Sequence, residues 1–167
     1  MSKHQDVISP IDFARKIPRM APKLPRMLKG LLMANSTDNS KTVGLAWAFE
    51  KATQENPHGK ALYYRDVSFS HAQFNQWANR IAHFFLAQGL QKGDVVSVYV
   101  ENRPELLAIV TGLGKIGVIS AMVNTSQIGK VLTHSVNLVK PKMAIVGDEL
   151  VGNFNEVLGD LDLESNK

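Results

Sequence analysis

Residues 93–150 read GDVVSVYVENRPELLAIVTGLGKIGVISAMVNTSQIGKVLTHSVNLVKPKMAIVGDEL and alternate apolar runs with amphipathic ones. The runs VVSVYV, VISAMV and KMAIVG predict three strands, of which the first two are buried. The segments ELLAIVTGLGKI, IGKVLTHSVNLV and DELVGNFNEVL predict helices, the first capped by Asn102 with Pro104 in its first turn. Strands that alternate with helices through short links predict an α/β fold: a partial parallel sheet with flanking helices and right-handed crossovers.

The residues before this stretch predict two more helices and a hairpin. GLAWAFEKATQ is typical of a helix that ends near Asn56, and ALYYRDVSF predicts two short strands with a turn at Arg65 and Asp66. Ser70 is a suitable N-cap for a long helix, HAQFNQWANRIAHFFLAQ, which Gly89 closes. The apolar residues that recur along this helix are predicted core positions: Phe74, Trp77, Ile81, Phe84 and Phe85.

Three glycines of the first stretch, Gly112, Gly114 and Gly117, have the G-x-G-x-x-G spacing of a dinucleotide site. That fingerprint requires a strand directly before the glycines and an acidic residue about twenty positions after them. Here the glycines lie in the second half of a predicted helix, and no Asp or Glu occurs between Glu105 and Asp148. We expect Gly112 and Gly114 to let this helix lie close to the sheet, and Gly117 to end it.

Other patterns that carry chemistry are absent from the sequence. There is no cysteine, no G-x-x-x-x-G-K-[ST] phosphate loop and no G-x-S-x-G nucleophile elbow. The five histidines, His4, His58, His71, His83 and His134, do not have the spacing of metal ligands. The sequence alone therefore predicts no catalytic, cofactor-binding or metal-binding residue.

Charge separates a basic arm from a nearly neutral body. Residues 1–33 hold seven of the 19 Lys and Arg residues and two of the 15 Asp and Glu residues. The remainder of the chain holds twelve basic and thirteen acidic residues. We predict a broken amphipathic arm over residues 1–34 that contains several prolines, a polar linker over 35–41, and an α/β body over 42–167. The cations of the arm are candidate membrane contacts: Arg15, Lys16, Arg19, Lys23, Arg26 and Lys29.

Several partners suit such an arm. An anionic membrane surface is one, and packing on its own domain or a homodimer contact are the alternatives. Nucleic acid is disfavoured, because Phe13 is the only aromatic residue in the arm that could stack on a base. The first ten residues lack the apolar segment of a secretory signal, and glycines and Lys115 interrupt the apolar stretch 106–123. These features predict a cytoplasmic protein, with peripheral attachment to the inner face of the cell membrane as an option.

The order and spacing of these elements resemble the early part of the adenylate-forming acyl-CoA synthetases, over about residues 43–158. An Asn-Thr pair after the second predicted strand looks most like the fatty acid transport protein and very-long-chain branch. That branch commonly continues with Asn-Leu-Arg, where this chain has Ser126, Gln127 and Ile128. The residues that carry the resemblance are Gly93, Asp94, Asn102, Pro104, Glu105, Gly117, Asn124 and Thr125.

The resemblance implies the N-terminal part of the large domain of a long-chain fatty acid–CoA ligase. The full-length enzyme would use ATP, Mg²⁺ and coenzyme A, and would activate a fatty acid through an acyl-adenylate. The family's phosphate loop, adenine-side aromatic motif, ribose aspartate and C-terminal lysine have no counterpart in this sequence, so no catalytic residue can be transferred. We expect the 167 residues alone to be inactive and to bind none of these cofactors. The alternatives are a membrane-binding or fatty acid uptake module and a truncated, non-catalytic product.

Overall fold

The computed structural model describes residues 21–34 and 44–163. The chain divides into two compact units, Met1–Thr42 and Val43–Lys167. In the first unit a 3₁₀ turn at Ala21–Lys23 leads into helix α1, Leu24–Ala34. Pro25 lies in the first turn of α1, where its missing N–H would have had no partner within the helix.

The second unit alternates helices and strands in the predicted order. A 3₁₀ turn precedes the last helix at Asp148–Leu150 and another follows it at Leu158–Asp160. The helices and strands are α2 Leu45–Glu55, β1 Lys60–Tyr64, β2 Val67–Ser70, α3 His71–Ala87, β3 Val95–Tyr99, α4 Pro104–Lys115, β4 Ile119–Met122, α5 Gly129–Leu138, β5 Met143–Val146 and α6 Val151–Val157.

Three of the strands form a parallel sheet in the order β4-β3-β5. Val95 of β3 pairs with Ile119 of β4, and on its other side Val96 pairs with Met143 of β5. The parallel α/β arrangement predicted from the sequence is therefore confirmed. β1 and β2 form a separate antiparallel hairpin, with Arg65 of its turn in the left-handed region at φ 52°.

The core lies on both faces of β3. Val96 and Val98 belong to a cluster with residues of α3 and α4, such as Phe85 and Leu113. Tyr99 belongs to a second cluster with Leu132 and Val136 of α5 and Phe154 and Val157 of α6. β3 is the middle strand and is covered on both faces, so both sets of its side chains are buried. This explains its continuous apolar run.

Two burial predictions are wrong. Ile119 and Met122 of β4 are 54% and 62% exposed, because β4 lies at an edge of the three-stranded sheet. Phe84 of α3 is 58% exposed. The buried positions of that helix follow three- and four-residue steps, and Phe84 lies one residue away from them. These buried positions are Phe74, Ala78, Ala82 and Phe85.

The helix ends show which local signals were correct. Ser70 caps α3 through a full capping box: its Oγ accepts a bond from the Gln73 N–H at 3.2 Å, and Gln73 Oε1 accepts one from the Ser70 N–H at 2.9 Å. Gly89 and Gly117 have φ values of +84° and +73° and end α3 and α4 as predicted. The N-cap of α4 is Arg103 and not the predicted Asn102. The predicted helix DELVGNFNEVL begins with a 3₁₀ turn before α6.

Candidate functional site

Of the glycines with dinucleotide spacing, Gly112 and Gly114 face neighbouring helices. A Cβ at Gly112 would lie 2.8 Å from the Ala78 carbonyl oxygen and 2.8 Å from Cγ2 of Ile81, both on α3. A Cβ at Gly114 would meet Cβ of Ala46, on α2, at 3.5 Å. The expectation that these glycines bring α4 close to the sheet is therefore wrong, because they allow the approach of α3 and α2. They also lie in the C-terminal half of α4, whereas phosphate binds the free N–H groups at a helix N-terminus.

The carboxyl ends of β3, β4 and β5 lie at one edge of the sheet, where open α/β folds usually bind their ligands. One polar cluster at this edge joins the segments that follow β3 and β5. Arg103 Nη1 lies 3.0 Å from Oε2 of Glu149, and Nε of the same arginine lies 3.7 Å from a carboxylate oxygen of Glu105. The Glu101 N–H donates to Oε1 of Glu149 at 3.2 Å.

These contacts decide what the Glu149 carboxylate can do. A hydrogen bond from its own backbone N–H, with the Glu101 N–H and the Arg103 charge, holds the pKa of Glu149 below the ordinary value, although partial desolvation opposes this. A carboxylate that stays ionised and paired is a poor general acid or base at neutral pH. The cluster therefore ties two segments of the sheet edge together.

The Asn-Thr pair named by the sequence lies in the segment that follows β4. Asn124 Oδ1 accepts hydrogen bonds from the Ser126 N–H at 3.0 Å and from the Ser126 hydroxyl at 2.6 Å, which fixes an Asx turn. The Tyr99 hydroxyl donates to the Gln127 carbonyl oxygen at 2.7 Å, with the Thr125 carbonyl oxygen 3.2 Å away. These bonds hold the turn against the end of β3, so the pair has a structural role here.

Sequence reasoning missed the contacts that hold this edge. A buried tyrosine needs a partner for its hydroxyl, and Tyr99 at the end of the most apolar strand was a signal of that kind. The ion pair between Arg103 and Glu149 had no local signal, since 46 positions separate the two residues. At the amino ends of β3 and β5, Lys142 Nζ lies 2.9 Å from Asp94 Oδ2. This pairing was also missed, because the two residues are far apart in the sequence.

The structure describes four of the five histidines named by the sequence. Within residues 21–34 and 44–163, no three His, Asp or Glu side chains come together in a set that could hold a metal ion. His71 and His83 lie on α3 and His134 lies on α5. His4 lies outside the described residues.

The candidate membrane contacts divide between described and undescribed residues. Arg26 and Lys29 lie on α1, and Lys23 lies in the 3₁₀ turn directly before it. Arg15, Lys16 and Arg19 lie outside the described residues. In the two described ranges, no helix is both long enough and apolar enough to cross a bilayer.

Comparison with known proteins identifies the family. The model of the AMP-binding enzyme family matches residues 49–166, which is most of the chain. The chain belongs to the AMP-binding enzyme family. Members of the family that resemble it include the long-chain fatty acid transport protein 6 of Mus musculus, 30% identical over 114 residues. That match covers 68% of this chain and 18% of the transport protein.

A second relative in the family is a medium/long-chain fatty acid–CoA ligase of Mycobacterium tuberculosis, 28% identical over 146 residues. The match covers 87% of this chain and 24% of the ligase. Among solved structures, a fatty acyl CoA synthetase of M. tuberculosis superposes with a TM-score of 0.65 at 24% identity, over 68% of this chain and 23% of its own. At 24% identity, that likeness shows a shared fold and no more. The chain spans about a quarter or less of the length of these relatives.

Proposed function

We propose that this chain is the N-terminal part of an ATP-dependent long-chain fatty acid–CoA ligase, and that it supplies scaffold and no reacting group. The observation that carries the proposal is the 28% identity with a fatty acid–CoA ligase across 87% of this chain. The same match covers 24% of that ligase. The activity would therefore belong to a longer protein, of which these residues are the opening portion.

The reaction of such a ligase has two steps. The fatty acid carboxylate attacks the α-phosphorus of ATP, which forms an acyl-adenylate and releases pyrophosphate, and the coenzyme A thiol then displaces AMP. Positioned N–H groups and a cation must stabilise the charge that develops on the phosphate, and Mg²⁺ would supply part of that stabilisation. Within residues 21–34 and 44–163, no three acidic or histidine side chains come together in a set that could hold a metal ion. Because Mg²⁺ at an ATP site is held largely by the phosphates and one or two carboxylates, we expect its protein ligands to lie elsewhere in the full-length protein.

The contribution of this chain would be to hold the carboxyl edge of a sheet in a fixed shape. Tyr99 fixes the turn after β4, and the pair of Arg103 and Glu149 joins the segments after β3 and β5. The apolar clusters on both faces of β3 keep these three segments in register. Residues elsewhere in a full-length ligase would have to supply the phosphate-binding and acyl-binding groups.

The test is ATP–pyrophosphate exchange with palmitate. We expect exchange at the background level for the 167-residue chain, and palmitate-dependent exchange for the native protein, isolated with an antibody to this chain. The native protein should be several-fold heavier than 18.4 kDa. Exchange by the short chain would contradict the scaffold role. A native species of 18.4 kDa without exchange would instead mean a truncated, non-catalytic product.

A further inference from the structure

Helix α1 has an apolar face whose side chains are exposed over residues 24–32. Five large hydrophobic residues of this 11-residue helix are between 54% and 68% exposed. At 3.6 residues per turn they fall within one arc of about 140° around the helix axis. They are Leu24, Met27, Leu28, Leu31 and Leu32.

All the charged residues of the helix are cations and lie outside the apolar arc. Arg26 and Lys29 of α1, and Lys23 in the 3₁₀ turn directly before it, fall outside the apolar arc, and all three are exposed. Residues 21–34 contain no Asp or Glu, so these charges have no acidic neighbour within the helix. The helix therefore combines an apolar face with a face of a single positive sign.

We propose that α1 lies in the plane of an anionic lipid bilayer. The apolar arc would enter the boundary between headgroups and acyl chains, and the three cations would remain at the level of the lipid phosphates. Eleven residues extend about 16 Å, which is too short to cross the hydrocarbon layer and sufficient to lie on it. This role is separate from the proposed ligase function and does not depend on it.

Charge argues for lipid over the other occupants of such a face. Two copies of α1 packed through their apolar arcs would leave the cations of both helices on the outer faces, and no acidic residue of 21–34 could pair with them. Nucleic acid would leave the five apolar side chains in water, and residues 21–34 contain no aromatic ring to stack on a base. An anionic bilayer satisfies both faces at once.

The test is co-sedimentation of the full chain with vesicles of phosphatidylcholine, with and without phosphatidylserine. We expect binding that requires phosphatidylserine and weakens as salt is added. Charge reversal in the variant Lys23→Glu, Arg26→Glu, Lys29→Glu should weaken binding by about 100-fold or more. The matched control reverses three exposed lysines of the other unit, Lys92→Glu, Lys130→Glu and Lys140→Glu, and should retain most of the binding.

A second variant separates insertion from simple charge attraction. The exchange Leu28→Lys with Lys29→Leu keeps the composition and net charge of the helix, and it places a cation inside the apolar arc. We expect it to bind at least about tenfold more weakly than the wild type. Binding equal to the wild type would overturn the proposal, as would equal losses in the α1 and control charge reversals. Failure of the wild type to bind would also overturn it.

A third measurement leaves the helix almost unchanged. Since the chain contains no cysteine, a polarity-sensitive dye can be attached at Leu31→Cys inside the arc or at Gly30→Cys outside it. On phosphatidylserine vesicles the emission should shift to the blue for Leu31→Cys only. A shift without vesicles that depends on protein concentration would identify a protein contact and overturn the lipid assignment.

Discussion

At the level of single residues, Gly112 and Gly114 should respond to alanine in opposite directions. Alanine at Gly112 would place Cβ 2.8 Å from a backbone carbonyl of α3, and separating the helices should lower the free energy of unfolding by about 1–3 kcal/mol. Alanine at Gly114 makes an ordinary 3.5 Å contact with Ala46. It should raise the free energy of unfolding by about 0.5 kcal/mol, because alanine favours the helix.

Urea unfolding of Gly112→Ala and Gly114→Ala, monitored by circular dichroism, measures both effects. Each variant is the other's control, because the same methyl group is added two residues apart on one helix. A stabilised Gly112→Ala variant would mean that α3 and α4 are not in close contact at this point.

The lowered pKa values of two carboxylates predict that the folded state becomes less stable in acid. Hydrogen bonding from the Gln91 N–H, then from Lys142, holds the pKa of Asp94 below its ordinary value of 3.8, and the pKa of Glu149 lies below 4.5. A carboxylate with a lowered folded-state pKa stabilises the protein fully above its unfolded-state pKa. That contribution is lost as the pH falls through the lower folded-state value.

The free energy of unfolding should therefore fall as the pH is lowered from about 5 towards 2. In Asp94→Asn the decline should be shallower, and stability at pH 7 should be lower, because Lys142 loses its partner. Urea midpoints across this pH range test the expectation. An Asp94→Asn variant that declines as steeply as the wild type would show that this carboxylate does not contribute.

The roles of single residues could be predicted from the sequence where they depend only on nearby residues. Ser70, Gly89 and Gly117 act within one turn of a helix end, so a short window of sequence contains everything that determines them. The ion pair of Arg103 and Glu149 forms because two strands are adjacent in the sheet. The sequence near either residue does not indicate which strands are adjacent. The spacing of the glycines drew attention to Gly112 as a position of close packing. The sequence did not show that the element packed against it is α3.

At the level of elements, the start of α3 depends on its capping box. Ser70→Ala removes the Oγ acceptor for the Gln73 N–H and should lower the free energy of unfolding by about 1 kcal/mol. Ser68→Ala is the matched control, since Ser68 is an exposed residue of the same strand, β2. Thermal unfolding of the two variants tests this, and equal losses would mean that the capping box contributes nothing.

Elements were predicted best where periodicity and burial agree. β3 is apolar at nearly every position and is buried on both faces, whereas β4 has a similar composition and lies at an edge. Composition alone could not separate these two strands, because the difference lies in strand order. The order β4-β3-β5 is a property of the fold, and it also decides which carboxyl ends are neighbours.

At the level of the whole molecule, we expect the edge strand β4 to be a site of self-association. Among the strands of residues 44–163, β4 pairs only with β3, so its other side has unpaired backbone groups. Natural edge strands are commonly protected by charged side chains, bulges or covering elements. Ile119 and Met122 provide no charge there and are more than half exposed.

The 167-residue chain should therefore associate as its concentration rises, and Ile119→Lys with Met122→Lys should weaken that association by about tenfold or more. Sedimentation velocity over a concentration series measures this. The control places lysines on two exposed leucines outside the sheet, Leu86→Lys and Leu158→Lys, and should associate like the wild type. If the control weakens association equally, general apolar burial drives the contact. If neither pair changes it, β4 is not where the copies meet.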